Sequence, residues 1–138
     1  MSSPISPRTV NALTVALASD PGRKDLIKFI ENFSAWRTPV TVIDNVSTFF
    51  PTGTTVSVDG IALTNGDRIL FTGLTDTVQN NKIYILEGIL VNIRFIQSKE
   101  GRKGNGSPVL GDLVEINKGA MNEGAIYRYD SNNNFVNI

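Results

Sequence analysis

A chain of 138 residues is the size of one domain with a single core and at most a short appendage. Thirteen Lys and Arg balance thirteen Asp and Glu, which leaves no global field for nucleic acid or an anionic membrane; with no Cys and no His, disulfides, thiolate chemistry and the commonest near-neutral base and metal ligand are absent too. The N-terminus lacks the basic start and unbroken apolar run of a secretory signal, and no stretch approaches the roughly twenty apolar residues of a membrane span, so synthesis in the cytoplasm without membrane insertion is expected.

Ser6-Pro7 offers a cap and a first-turn proline, behind which Val10, Leu13, Ala16 and Leu17 share a helical stripe. A short helix is expected, with a strand as the alternative because Val10, Thr14 and Val15 are β-branched. Asp20-Pro21 repeats the signature. From Lys24 onward Leu26, Ile27, Phe29, Ile30 and Phe33 fall on one helical face and Lys28, Glu31 and Asn32 on the other, until Pro39 bars continuation. Residues 1–38 are thus expected to form a helical anchor or cover segment, and residues 39–138 a β domain. Trp36 is expected to pack where helices meet sheet.

From Val40 the texture changes to short apolar runs between turn signals: Val40 to Ile43, Val46 to Phe50, and Thr54 to Val58. Asp59-Gly60 and Asn65-Gly66 are strong tight-turn dipeptides, and they predict a compact β meander. Arg68 to Phe71 and Lys82 to Leu86 read as strands joined by a polar loop. Ile89 to Ile96 alternates and forms a hairpin with the preceding strand across Glu87-Gly88. Leu113 to Asn117, Ala125 to Tyr129 and Phe135 to Ile138 complete some eight to ten strands at the turn spacing of a sandwich or barrel. The fold class is mainly β: a small antiparallel sandwich or barrel with a short N-terminal helical segment. Because Ile83 to Leu86 is apolar on both faces, and the helices cover only one, subunit contacts are expected to cover the other.

Reactive groups are hard to find. The basic segment from Lys99 to Pro108 lacks the Gly-Lys-Ser/Thr ending of a phosphate loop and has strand-like residues after it, so it reads as a mobile solvated loop. Asp59, Asp67, Asp76, Asp112, Glu115 and Asp130 sit in or beside turns, where an aspartate ordinarily binds its own backbone. Asp76 with Asn80 and Asn81 lacks the ligand alternation of a calcium loop. The sequence predicts no catalytic, cofactor-binding or metal-binding residue, no cofactor, and no enzyme activity.

The stretch DGIALTNGDRILFTGLTDTVQNNKIYIL resembles a module of bacteriophage tail-fibre and other virion-surface proteins, with the pattern DGV, GDRVLV, QTD and ENGIYVV. Asp59-Gly60-Ile61, Gly66 to Leu70, Thr75-Asp76 and Ile83-Tyr84-Ile85 carry the likeness, which extends loosely over residues 54–129. Gln79-Asn80-Asn81-Lys82 departs from it, being one residue longer and without the glycine. The resemblance implies a non-enzymatic virion structural protein: a head or neck decoration, a head fibre, or a tail-fibre or adaptor component. It also implies a homotrimer whose partners are other virion proteins of capsid, neck or tail, and not nucleic acid. A host-receptor module binding glycan or surface protein is the alternative, and a polysaccharide hydrolase a third. On this reading Gly60, Gly66, Asp67, Ile69, Phe71, Ile83 and Ile85 make the fold and are not a site.

Overall fold

The computed structural model describes residues 35–138, so the helices expected between Ser6 and Phe33 lie outside the described residues. These residues form nine short strands: β1 (Val42–Asp44), β2 (Ser57–Val58), β3 (Ile61–Ala62), β4 (Arg68–Phe71), β5 (Lys82–Glu87), β6 (Arg94–Gln97), β7 (Leu113–Glu115), β8 (Ile126–Tyr129) and β9 (Phe135–Asn137). They are arranged as a four-stranded sheet in the order β1-β4-β5-β6, a three-stranded sheet β7-β8-β9, and the hairpin β2-β3. The fold is mainly β with antiparallel pairing, as expected, except that β1 joins β4 in parallel.

The centre is the antiparallel pair β4-β5, in which Ile69 faces Tyr84 and Leu70 faces Ile83. Side chains alternate across a strand, so this register sorts the apolar residues into two layers. Ile69, Phe71, Tyr84 and Leu86 join Val42, Val58, Leu63 and Ile93 on one face. Leu70, Ile83 and Ile43 meet Val114, Ile116, Tyr127 and Phe135 of the second sheet on the other. The two larger sheets therefore pack as a small sandwich, and the β2-β3 hairpin closes the outer face. In that outer layer Phe50, Phe71, Tyr84 and Phe95 have ring centroids 4.9 to 5.7 Å apart, mostly edge to face, the arrangement that aromatic quadrupoles prefer. Burial of each large apolar side chain in these layers is worth about 1.5–3 kcal/mol.

This arrangement removes the ground for expecting subunit contacts over an apolar sheet face, since both faces of β5 are covered within one chain. Ile85 is only half-buried, and the two layers draw on Leu70, Tyr84 and Leu86 as well as the residues singled out from sequence.

Residues 35–44 stitch the sandwich together. The Arg37 amide donates to Leu113 O at 2.8 Å and the Leu113 amide to Ala35 O at 2.7 Å, while the Val40 amide reaches Glu115 O at 3.0 Å, so this segment runs parallel to β7. One residue later the Thr41 amide donates to Arg68 O at 2.8 Å and the chain becomes β1 beside β4. Pro39 falls between the Trp36 and Val40 bridges to the β7 segment, where no ladder donor is needed. Half-buried Trp36 is bridged to Leu113.

Several local expectations change. Asp59 and Gly60 take φ 49° and 76° and link β2 to β3 antiparallel, the mirror-image two-residue turn such a dipeptide favours. Asn65-Gly66 is also a turn, with Gly66 at φ 89° and the Asp67 amide bonded to Thr64 O, but it passes the chain from the hairpin into the large sheet without pairing β3 to β4, so the consecutive antiparallel runs are β4-β5-β6 and β7-β8-β9. The expected strand from Ile89 to Ile96 begins only at Arg94. Gly88 at φ 80° and Leu90 at φ 67° turn the chain, and the amides of Leu90 and Ile93 bond Thr54 O and Gly53 O instead of β5. Residues 46–50 form a loop whose Val46 and Phe49 are exposed.

Candidate functional site

Asp112 stands apart from the other acids. Its side chain is 1% exposed, and its Oδ2 accepts from Arg37 Nε at 3.1 Å, Arg37 Nη2 at 2.9 Å and the Val109 amide at 2.8 Å. Oδ1 accepts from Arg102 Nε at 2.9 Å and Nη2 at 2.5 Å. A carboxylate with donors on both oxygens is compensated for burial, as a buried charge must be. Arg37 also donates to Glu100 O and Ser107 O, and the guanidinium of Arg68 pairs with Glu100. The loop from Lys99 to Pro108, expected to be mobile and solvated, is thus folded around arginines: Gly101 lies so close that a Cβ there would stand 2.5 Å from Arg37 Cζ. The sequence did not single out Asp112 for this, because its partners come from positions 10 and 75 residues away.

The remaining turn aspartates do what their positions suggest. Asp67 Oδ2 accepts the Thr64 amide, Asp76 Oδ1 the amides of Val78 and Gln79, and Asp130 Oδ1 those of Asn132 and Asn134. Asp59 reaches further: its carboxylate accepts the amides of Met121 and Asn122, clamping the β7-β8 loop onto the β2-β3 turn. Asn80 Oδ1 accepts the Leu74 amide and does not converge with Asp76 on a cation, and no group of three acids among the described residues is placed to hold a metal. Among the described residues Asp59, Asp67, Asp76, Asp112 and Asp130 each spend carboxylate oxygens on hydrogen bonds that hold turns, loops or arginines.

A concave feature among the described residues lies elsewhere. A cleft of about 560 Å3 opens between the 72–81 loop, the β8-β9 turn and the end of the 99–108 loop, lined by Asn80, Asn81, Lys82, Lys103, Tyr129 and Asn132 to Asn134 among others. Asn81 holds its walls together. At φ 56° it projects Nδ2 to Asn133 O at 3.1 Å and to Asn134 Oδ1 at 3.3 Å, while its Oδ1 accepts the Phe135 amide. Lys82 Nζ donates to Val78 O at 2.6 Å, and Tyr129 packs on Phe135 with centroids 5.1 Å apart. Partial burial, reinforced by the charge of Asp130, raises the Tyr129 phenol above its ordinary pKa, so it stays a protonated donor at neutral pH. Nothing in the sequence marked this cleft, which three separated loops build.

Comparison of the chain with protein-family models, with curated proteins and with solved structures gives no match. Among the described residues no helix is long and apolar enough to cross a membrane.

Proposed function

We propose that the chain is a non-enzymatic structural protein of a bacteriophage virion, displayed on the particle as a head or neck decoration, a head fibre or a tail-fibre or adaptor component. The observation that carries this reading is that the stretch resembling the fibre module, Asp59 to Leu86, is also the stretch that builds the centre of the fold. Its Asp-Gly pair makes the β2-β3 turn, its Gly66-Asp67 pair turns the chain into β4, and its two apolar runs are the central strands. In the loop where the family pattern carries a glycine, Asn81 takes φ 56°, a conformation that asparagine tolerates better than most residues. The commitment of the aspartates to turns and arginines also favours a structural role over catalysis.

The homotrimer and the virion partners rest on the resemblance alone. Mass spectrometry of purified virions, with copy number, tests the assignment: the protein should be present at a fixed stoichiometry, and its absence from infectious particles would reject the reading. Light scattering coupled to gel filtration tests the trimer, which a monomer at micromolar concentration would reject.

Host-receptor recognition is the second reading, favoured by the polar cleft and by the exposed ring of Phe49. A polysaccharide hydrolase is disfavoured, because the described residues lining the cleft include no carboxylate.

A further inference from the structure

We propose that the cleft beside Tyr129 binds an acidic saccharide, held by the Tyr129 phenol, the side-chain amides of Asn132 and Asn133, and the Lys103 ammonium. The inference deepens the receptor-recognition reading and rests on it for its biological meaning, although binding itself can be read on the isolated chain.

The size fits first. At about 560 Å3 the cleft lies inside the range of about 300–1,000 Å3 common for small-molecule sites. Its chemistry then narrows the ligand. Pro108 and the Tyr129 ring are its main apolar surfaces, too little to hold a lipid or an apolar peptide side chain. Amides and hydroxyls dominate the rest, and a side-chain amide presents a donor and an acceptor in one plane, which matches neighbouring hydroxyls on a sugar ring.

Several of these groups have spare capacity. Asn80 and Asn81 spend their side chains on the loops, Asn80 on the Leu74 amide and Thr72 O, Asn81 on Phe135 and the β8-β9 turn. Asn132 and Asn133 are bound only through their backbones: the Asn132 amide donates to Asp130 Oδ1 at 3.0 Å, the Asn133 amide donates to Asp130 O at 3.2 Å, and Asn133 O accepts from Asn81 Nδ2. Their side chains and the Tyr129 phenol make no hydrogen bond with the described residues, so a fixed turn holds unused polar groups at the cleft. Preorganisation of that kind lowers the ordering cost of binding.

Charge decides between neutral and acidic sugars. Lys82 and Lys103 line the cleft and none of the described residues lining it is acidic, while Asp76 and Asp130, in the adjoining loops, accept backbone amides of those loops. A ligand carboxylate therefore meets cations without a lining acid. Nucleic acid fits less well, since the chain is neutral overall and the cleft has one aromatic ring and no track of cations.

Saturation-transfer NMR and calorimetry on the full chain would use digalacturonate, neutral lactose and inorganic phosphate as probes. Digalacturonate should bind saturably, about tenfold more tightly than lactose, the difference one charge-assisted contact supplies. Lys103→Ala should abolish most of that preference, and Asn132→Ala should weaken both sugars with no change in melting temperature. No saturable binding of digalacturonate at millimolar concentration would overturn the proposal. So would lactose binding as tightly as digalacturonate, or binding to phosphate and digalacturonate alike that Asn132→Ala leaves untouched, which would mark a generic anion patch. Virion mass spectrometry reads the particle assignment without reference to sugar, so the two ideas fail separately.

Discussion

Arg37 and Asp112 lie 75 positions apart and meet through two hydrogen bonds of 2.9 and 3.1 Å to one carboxylate oxygen, both side chains almost wholly out of water. The pair ties the start of the described chain to the residue that precedes β7. Arg102 takes the other oxygen, so Asp112 holds two guanidinium groups that would otherwise repel. Removing one partner of a buried ion pair strands the other, and Asp112→Ala should cost about 3–5 kcal/mol by urea denaturation. Arg102→Ala should cost much less, because that side chain is 28% exposed and water can replace it. Equal losses for the two variants would show that the carboxylate does not organise the cluster.

The same bond decides where the chain can be shortened. A truncate beginning at Ala35 keeps Arg37 and the pairing with β7, and is expected to fold with a sharp thermal transition. Beginning at Thr38 removes the Arg37 side chain and leaves Asp112 short of a counter-charge, so the transition should fall in temperature and broaden. The anchor expected over residues 1–38 includes Ala35 and Arg37, which bond the β body; on the anchoring reading the longer truncate stays folded and no longer assembles onto particles lacking the native copy. A folded truncate that still decorates particles at full copy number would rule out the anchoring role.

Gly66 sits in open space at φ 89°, so substitution there tests backbone conformation without a steric clash. Gly66→Val should cost on the order of 1–3 kcal/mol because a β-branched residue is strained at positive φ. Gly66→Asn should cost less. An unchanged melting temperature for the valine variant would contradict the turn.

Gly119, at φ 139°, adds a steric clash to the same backbone strain. A Cβ there would collide with Asp59 Oδ2, and that carboxylate holds the amides of Met121 and Asn122. Asp59→Ala should therefore destabilise by about 1–3 kcal/mol, Gly119→Ala by at least as much because it also strains the backbone, and the double variant by less than their sum, since both break one clamp. Full additivity in denaturant midpoints would show that the two positions are not coupled.

Alkaline pH should weaken the fold through Tyr84. Its hydroxyl donates to Gln79 O at 2.7 Å, and burial, with a smaller contribution from the charge of Asp76, pushes its pKa from 10.0 up to about 12. The folded chain then keeps a proton that the unfolded chain releases, so this contribution is intact below pH 10 and is lost as pH rises towards about 12. Melting temperature should fall over that window, and more shallowly in Tyr84→Phe, which has no proton to lose. Parallel curves for the two proteins would show that Tyr84 does not titrate with unfolding.

The sequence by itself determined the local features. Asp59-Gly60 is a hairpin turn because both residues reach positive φ at low cost; Arg68 to Phe71 and Lys82 to Leu86 are strands because their β-branched and aromatic residues suit a pleat; and Asp67, Asp76 and Asp130 bind amides two to four residues away. All of these depend on neighbours within one turn of chain. What the tertiary structure decided depends on residues far apart. Ile89 to Ile93 alternates like a strand yet becomes a loop because Gly53 and Thr54 compete for its amides. Ile83 and Tyr84 point to opposite faces as neighbours in any strand do, but only the packing of a layer of this chain against each face covers both within one chain. Asp112 is buried only because arginines 75 and 10 positions away converge on it, and the cleft at Tyr129 exists only where three loops meet. Pairings of that kind are chosen by the combined packing of the whole chain, whose energy no short stretch of sequence contains.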